Sequence, residues 1–128
     1  MFNANFYPTP PEVIALMMQG DTIENKIFLE PSAGKGDIVE YLTDNGAKSV
    51  LACEDNEDLK NILITKCRVI EGDFLNLESD KISHIDYVVM NPPFSNGAEH
   101  LLHAYHIAPK GCKIVCLQKD VATGICST

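Results

Sequence analysis

Five short apolar runs, separated by segments of helical character, set what this chain can fold into. They are Lys26–Glu30, Ser49–Cys53, Cys67–Glu71, Ile85–Met90 and Cys112–Leu117. Runs of this length that are apolar nearly throughout fit strands of a parallel sheet covered on both faces. The segments between them carry helix punctuation. Thr9-Pro10-Pro11-Glu12 offers Thr as a cap, Pro at the first helical position and Glu three residues after the cap. That helix runs through Val13, Ile14, Leu16 and Met17 and stops at Gly20. Further helices are expected at Asp37–Asn45, near Asp55–Ile64, and from about Asn96 to Ala108, where Pro109 and Gly111 end the last one. The polar stretch Asn76–His84 reads as a connection. The fold class is therefore α/β, a doubly wound and mainly parallel sheet of about five strands.

Ligands of such sheets bind beyond the carboxyl ends of the strands, where the strand order switches. The first run leads into Glu30-Pro31-Ser32-Ala33-Gly34-Lys35-Gly36-Asp37. Glycines at 34 and 36, between strand and helix, let backbone approach a ligand with a helix N-terminus behind it. A dinucleotide fingerprint would need a third glycine at position 39, which is Val39, and a P-loop would need Ser or Thr after Lys35, which is followed by Gly36. Glu54 follows the second run, 18 residues beyond Gly36, near the spacing at which an acid meets a ribose diol. A solvated glutamate beside Asp55, Glu57 and Asp58 is the plainer alternative. Asp73 follows the third run in Gly72-Asp73-Phe74-Leu75, where a simple turn aspartate is the alternative. Taken together, positions 36, 54, 73 and 91 fall at near-even intervals at successive strand ends, which points to one shared site.

The fourth run ends in Asn91-Pro92-Pro93-Phe94. Asn91 offers a side-chain carbonyl oxygen. Pro92 has no N–H, so local carbonyls are not all consumed by a ladder. Phe94 supplies a flat surface. The set suits a planar group bearing an NH2, with two acceptors for its hydrogens and a ring to stack on.

Composition narrows the classes. The chain has 128 residues, 45% of them hydrophobic and 22% charged, which is ordinary for one globular domain. It is read as a single domain over 1–128 with a tail at 119–128. No apolar run approaches the ~18 residues of a membrane span, and no basic region followed by an apolar stretch marks a secretory signal. Cysteines 53, 67, 112, 116 and 126 are odd in number, contain no C-x-x-C pair and mostly lie in or beside apolar runs. This points to a reducing cytoplasm without structural zinc or disulfides. His100, His103 and His106 spread over too wide an arc of one helix to share an ion, so a partly exposed histidine face and no metal are expected. The net charge of −8 argues against this chain holding DNA by itself, because phosphate neutralisation dominates that affinity.

From Phe6 to Leu117 the chain resembles the cofactor-binding part of class I S-adenosylmethionine-dependent methyltransferases of the DNA adenine-N6 group. Asn91-Pro92-Pro93-Phe94 is similar to the catalytic motif of that group, Glu30 to Asp37 to its glycine loop, and Phe6-Tyr7-Pro8-Thr9-Pro10-Pro11 to its N-terminal motif. The resemblance implies S-adenosyl-L-methionine as cofactor. It implies cofactor contacts from Tyr7, Thr9, Glu30, Pro31, Ser32, Gly34, Gly36, Glu54, Asp73, Phe74 and Asn91. Tyr7 and Thr9 would serve the methionine moiety, Glu54 the ribose hydroxyls and Asp73 the adenine amine, with Phe74 packed nearby. Asn91 and the Pro92 carbonyl would accept hydrogens from the target N6 amine, and Phe94 would stack on a base extruded from DNA.

That family has seven strands, the last two forming a hairpin at one edge, whereas five are counted here and the fold reads as truncated at that edge. The expected alternatives are a fragment, a short form that needs a partner, and a non-catalytic module that keeps the pocket. Glutamine- or guanine-amine methylation is a further alternative. The uncovered strand Cys112–Leu117, with Ile114 and Cys116 on one face and Val115 and Leu117 on the other, is expected to self-associate or pair with a partner segment.

Overall fold

Each of the five apolar runs becomes a strand in the computed structural model, which describes residues 9–92, 97–117 and 125–127. The strands are β1 (Ile27–Glu30), β2 (Ser49–Cys53), β3 (Arg68–Glu71), β4 (Tyr87–Met90) and β5 (Lys113–Leu117). They pair in parallel in the order β3-β2-β1-β4-β5. The chain moves outward from β1 through β2 to β3 and then returns to place β4 on the other side of β1. The strand order therefore switches between β1 and β4. Phe28 and Tyr87 are register partners across that switch, and their rings stack with centroids 5.0 Å apart.

Successive side chains along a strand point to opposite faces, and both faces are buried. Phe28, Val50, Ala52, Val89 and Val115 face one core, which is completed by Ile14, Met17, Ile38, Val39, Leu42 and Leu63. Leu29, Leu51, Cys53, Val88, Met90, Ile114 and Cys116 face the other, under Phe74, Leu77, Ile82, Ile85, Ala104 and Ile107. Every large apolar side chain so buried contributes about 1.5–3 kcal/mol. The helices that supply these covers are α1 (Pro11–Met17), α2 (Asp37–Asp44), α3 (Glu57–Leu63) and α4 (Gly97–Ile107). No helix among the described residues is long and apolar enough to cross a membrane.

Two local expectations are corrected. Thr9 does not cap the first helix: Pro10 holds the cap position without a side-chain bond, and Pro11 is the first helical residue. The Thr9 hydroxyl is instead drawn 82 residues along the chain to Asn91. The polar connection is also more structured than its composition suggests. It follows a 3-10 turn at Phe74–Asn76 and contains another at Ser79–Lys81, and Leu77 and Ile82 within it lie in the second core with Ile85 just beyond it. Strand β4 accordingly begins at Tyr87 rather than Ile85.

The sheet edge is corrected as well. The segment read as a tail supplies a sixth strand, β6 (Ile125–Ser127), antiparallel to β5. Leu117, Cys116 and Val115 lie opposite Ile125, Cys126 and Ser127. The two faces of β5 are those expected from the sequence, but its outer backbone is paired. The edge is thus a strand of three residues, and very short edge strands are one way sheets avoid unwanted pairing. Deleting residues 118–128 should bare β5 and produce concentration-dependent association of the shortened chain. Light scattering of the shortened and full chains side by side checks this, and equal scattering from both at every concentration would count against a protective β6.

Candidate active site

Strand β1 ends at Glu30, only 1% exposed. Its carboxylate accepts from the Ser32 N–H at 2.8 Å, which turns the chain sharply after the strand. The glycine loop then folds against the end of β2. Ala33 N–H donates to the Cys53 carbonyl at 3.1 Å, and Gly34 N–H donates to Glu54 Oε1 at 2.7 Å. Gly34 and Gly36 both adopt left-handed backbone, with φ of 59° and 102°, which side chains disfavour. At Gly36 a Cβ would also lie 3.1 Å from Leu63 Cδ1 and from Lys66 Cδ. Lys66 secures the loop from below by donating to the Lys35 carbonyl at 2.9 Å and pairing with the Glu40 carboxylate. Helix α2 starts from this turn, with Gly36 as its cap.

Glu54 is 8% exposed and both its oxygens are in use. Oε1 takes Gly34, and Oε2 takes the Asn56 N–H at 2.9 Å. Burial raises its pKa above the usual carboxylate value, while the backbone donors at Asn56 and Gly34 oppose that rise. The solvated glutamate considered as an alternative is therefore ruled out at this position. A carboxylate oxygen has more than one acceptor direction, so the group keeps capacity for a ligand hydroxyl. Asp73, by contrast, is exposed and its Oδ1 accepts from Leu75 N–H at 2.9 Å, making it both a turn residue and a group open to solvent. A register irregularity at Ala52/Cys53 shifts the end of β3 against β2, and Glu54 N–H then bonds the Glu71 carbonyl.

Across the switch, Asn91 follows β4. Its Nδ2 donates to Thr9 Oγ1 at 2.8 Å. Its Oδ1 is buried and has no hydrogen-bond partner among the described residues. Thr9 N–H donates in turn to Asp37 Oδ2 at 3.3 Å, so the start of α2, the N-terminal segment and the end of β4 form one connected set. Pro31 and Pro92 are buried beside it. Phe74 is also buried, at 1% exposure, with its ring against His100 and His103, so it underlies Asp73 as a packing residue. Tyr7 and Phe94 lie outside the described residues.

The histidines form the partly exposed face expected from the sequence, with one of them buried. His106 is exposed, but His100 is 7% exposed and its Nδ1 lies 3.4 Å from Ser32 Oγ. His103 Nε2 donates to the Leu77 carbonyl at 2.9 Å. Helix α4 thus buttresses the glycine loop through His100, a contact with no signature in sequence spacing. Asp37 and Lys66 were likewise not singled out in the sequence, although the position of Asp37 directly after Gly36 at a helix start was a usable signal. Among the described residues no group of three or more His, Cys, Asp or Glu could hold a metal ion.

The chain matches no family model and no curated protein. Solved structures do match. One is a candidate RNA methyltransferase from Pyrococcus horikoshii, with TM-score 0.71 and 27% identity over 91% of this chain and 65% of that one. An RNA methyltransferase from Salinibacter ruber, in complex with S-adenosyl-L-homocysteine, matches with TM-score 0.71 and 18% identity over 89% and 79% of the two chains. A candidate S-adenosyl-L-methionine-dependent methyltransferase from Methanococcus maripaludis matches with TM-score 0.66 and 16% identity over 84% and 54%. The chain spans just under two thirds of the first of these and about half of the third. Its architecture is the Rossmann-like fold of S-adenosylmethionine-dependent methyltransferases.

Burial lowers the His100 pKa below 6.5, outweighing the opposing pull of Asp73, Asp55 and Glu99. Neutral His100 therefore contributes stability that is fully present above pH 6.5 and is lost as pH falls from there through the lower folded value. Urea unfolding from about pH 7.5 to about pH 5.5 should show that loss. In His100→Gln the change in midpoint over the same window should be smaller.

Proposed function

We propose that this chain binds S-adenosyl-L-methionine and catalyses methyl transfer to the N6 amine of adenine in nucleic acid, with DNA as the polymer its Thr9-Pro10-Pro11 and Asn91–Phe94 motifs favour. The observation that carries this reading is Asn91 Oδ1: a buried acceptor without a partner among the described residues, at a strand end beside the switch point. Unpartnered buried polar atoms are rare in native proteins and mark places where something else binds. The residues present also fit the cofactor. Two left-handed glycines, a carboxylate at the end of β2 with remaining acceptor capacity and an exposed aspartate after β3 suit backbone approach, a diol and an amine respectively.

When bound, the cofactor supplies an electrophilic methyl group on a sulfonium. Glu54 holds the ribose hydroxyls and keeps the glycine loop closed. Asp73 accepts from the adenine amine of the cofactor. Asn91 Oδ1, with the Pro92 carbonyl as second acceptor, takes hydrogens of the target amine, whose lone pair is otherwise delocalised into the ring. Two acceptors draw that nitrogen toward tetrahedral geometry and stabilise the positive charge that grows on it. No side-chain nucleophile is required, so the chain's main contribution is position. A second reading, an RNA base amine as acceptor, is favoured by the two similar structures named as RNA methyltransferases. With a net charge of −8 the chain needs a basic surface from elsewhere to hold either polymer.

Titration calorimetry should show saturable binding of S-adenosylmethionine or its demethylated product, and absence of binding up to millimolar cofactor would overturn the proposal. Glu54→Gln should weaken that binding by about 1.5–3 kcal/mol, the scale of a charged hydrogen bond. Asn91→Ala should leave cofactor affinity within about threefold but cut labelled-methyl transfer at least about a hundredfold. Parallel assays on DNA, RNA and protein identify the acceptor.

A further inference from the structure

We propose that His103 is a positioning residue for the cofactor: its hold on the turn after β3 keeps Asp73 where the carboxylate meets the adenine amine, and so sets the preference for an adenine base. This rests on the part given to Asp73 in the reading above. Asp73 begins a single 3-10 turn, Phe74–Asn76. Asn76 N–H donates to the Asp73 carbonyl at 2.9 Å, and Leu77 N–H to the Phe74 carbonyl at 3.0 Å. Short 3-10 pieces have poor hydrogen-bond geometry and need support from outside. The Asp73 carboxylate is exposed and accepts from Leu75 N–H of the same turn, so its direction follows the turn.

That support comes from α4. The buried Phe74 ring meets His103 edge-on, with centroids 4.9 Å apart at 79°, and His100 at 5.6 Å and 56°. Both pairs fall within the range of attractive ring contacts. At the other end of the turn His103 Nε2 donates to the Leu77 carbonyl at 2.9 Å. A carbonyl can only accept, so this bond commits the Nε2 hydrogen in the neutral and the charged ring alike. His103 thus touches the turn at its start and just past its end. The same helix begins against the target-side motif, where a Cβ on Gly97 would lie 3.6 Å from Pro92 Cγ. The acceptor for the cofactor amine and the strand end that carries Asn91 are therefore located from one helix.

The probes are S-adenosylhomocysteine and its analogue with an unsubstituted purine base, which lacks only the amine, titrated calorimetrically into the full chain. The wild type should bind the adenosyl form at least about tenfold more tightly, the scale of a hydrogen bond to a charged group. His103→Phe keeps a ring against Phe74 and removes the donor, and it should narrow that ratio to about threefold or less. His103→Gln, whose amide N–H takes the place of Nε2–H, should keep the wild-type ratio. Phe74→Leu loosens the same turn from its other anchor and should narrow the ratio too, so the proposal does not hang on the folding of one variant. In Asp73→Ala the ratio should collapse, and adding His103→Phe should change nothing further. Equal ratios in the wild type and His103→Phe, or a further change in the Asp73→Ala background, would overturn the assignment. A wild type that binds neither probe overturns the cofactor reading and this proposal with it. One that binds both alike removes the part given to Asp73 and to His103, while cofactor binding stands.

Discussion

The carboxylate of Glu54 joins two crossovers that would otherwise be independent. One oxygen holds Gly34 of the loop between β1 and α2, and the other holds Asn56, the cap of α3 after β2. A buried acid is costly unless its oxygens are hydrogen-bonded, and here two backbone donors meet that requirement. The reverse dependence matters as much. The glycine loop has left-handed backbone at two positions, and the bond to Glu54 is one of the contacts that hold it there. Lys66 from below, His100 from α4 and the Cys53 carbonyl complete that hold. The shape of the site thus depends on one charged group whose burial the surrounding fold has to sustain.

What the sequence conveyed follows from which signals are local. The five parallel strands were legible because residues such as Phe28-Leu29, Val50-Leu51 and Val88-Val89 are apolar on both faces, a pattern with few other uses. The glycine turn, Glu54 and Asn91 were legible because each sits at a strand end, where position along the chain translates directly into position on the sheet. Misreadings arose where a distant partner outbid a local one. Thr9 had the sequence context of a helix cap, yet its hydroxyl bonds Asn91. His100 belongs to the partly exposed histidine face expected from the sequence, while its contacts with Ser32 and Phe74 had no local signal. The residues of β6 carry small and polar neighbours that conceal a strand, and only the unpaired backbone of β5 calls for one there.

The fold leaves the chemistry divided along its two ends. At the amino ends of β4 and β5, Asp21 accepts from Lys113 Nζ at 2.9 Å and from the Tyr87 hydroxyl at 3.3 Å, a self-contained set. At the carboxyl ends, Asp73 is exposed and Asn91 retains an acceptor without a partner among the described residues. That one polar set is matched within itself, and acceptor capacity remains at the other end. That asymmetry, more than any single residue type, locates the site.

The bond between Thr9 and Asn91 also bears on how the molecule comes to be. The two residues are 82 positions apart, and β4, which Asn91 follows, pairs with β1 only after two strands have intervened. Parallel strands cannot be assembled from tight hairpins, so each pairing must first close a long loop against chain entropy, and such contacts form slowly. During synthesis Thr9 leaves the ribosome well before the partner that fixes its hydroxyl. The half-made chain holds the glycine loop, α2 and β2 with no β4 to complete the switch. The acceptor oxygen is consequently placed late in folding, and a nascent or partly opened chain would expose the apolar flanks of β1 before the switch was complete.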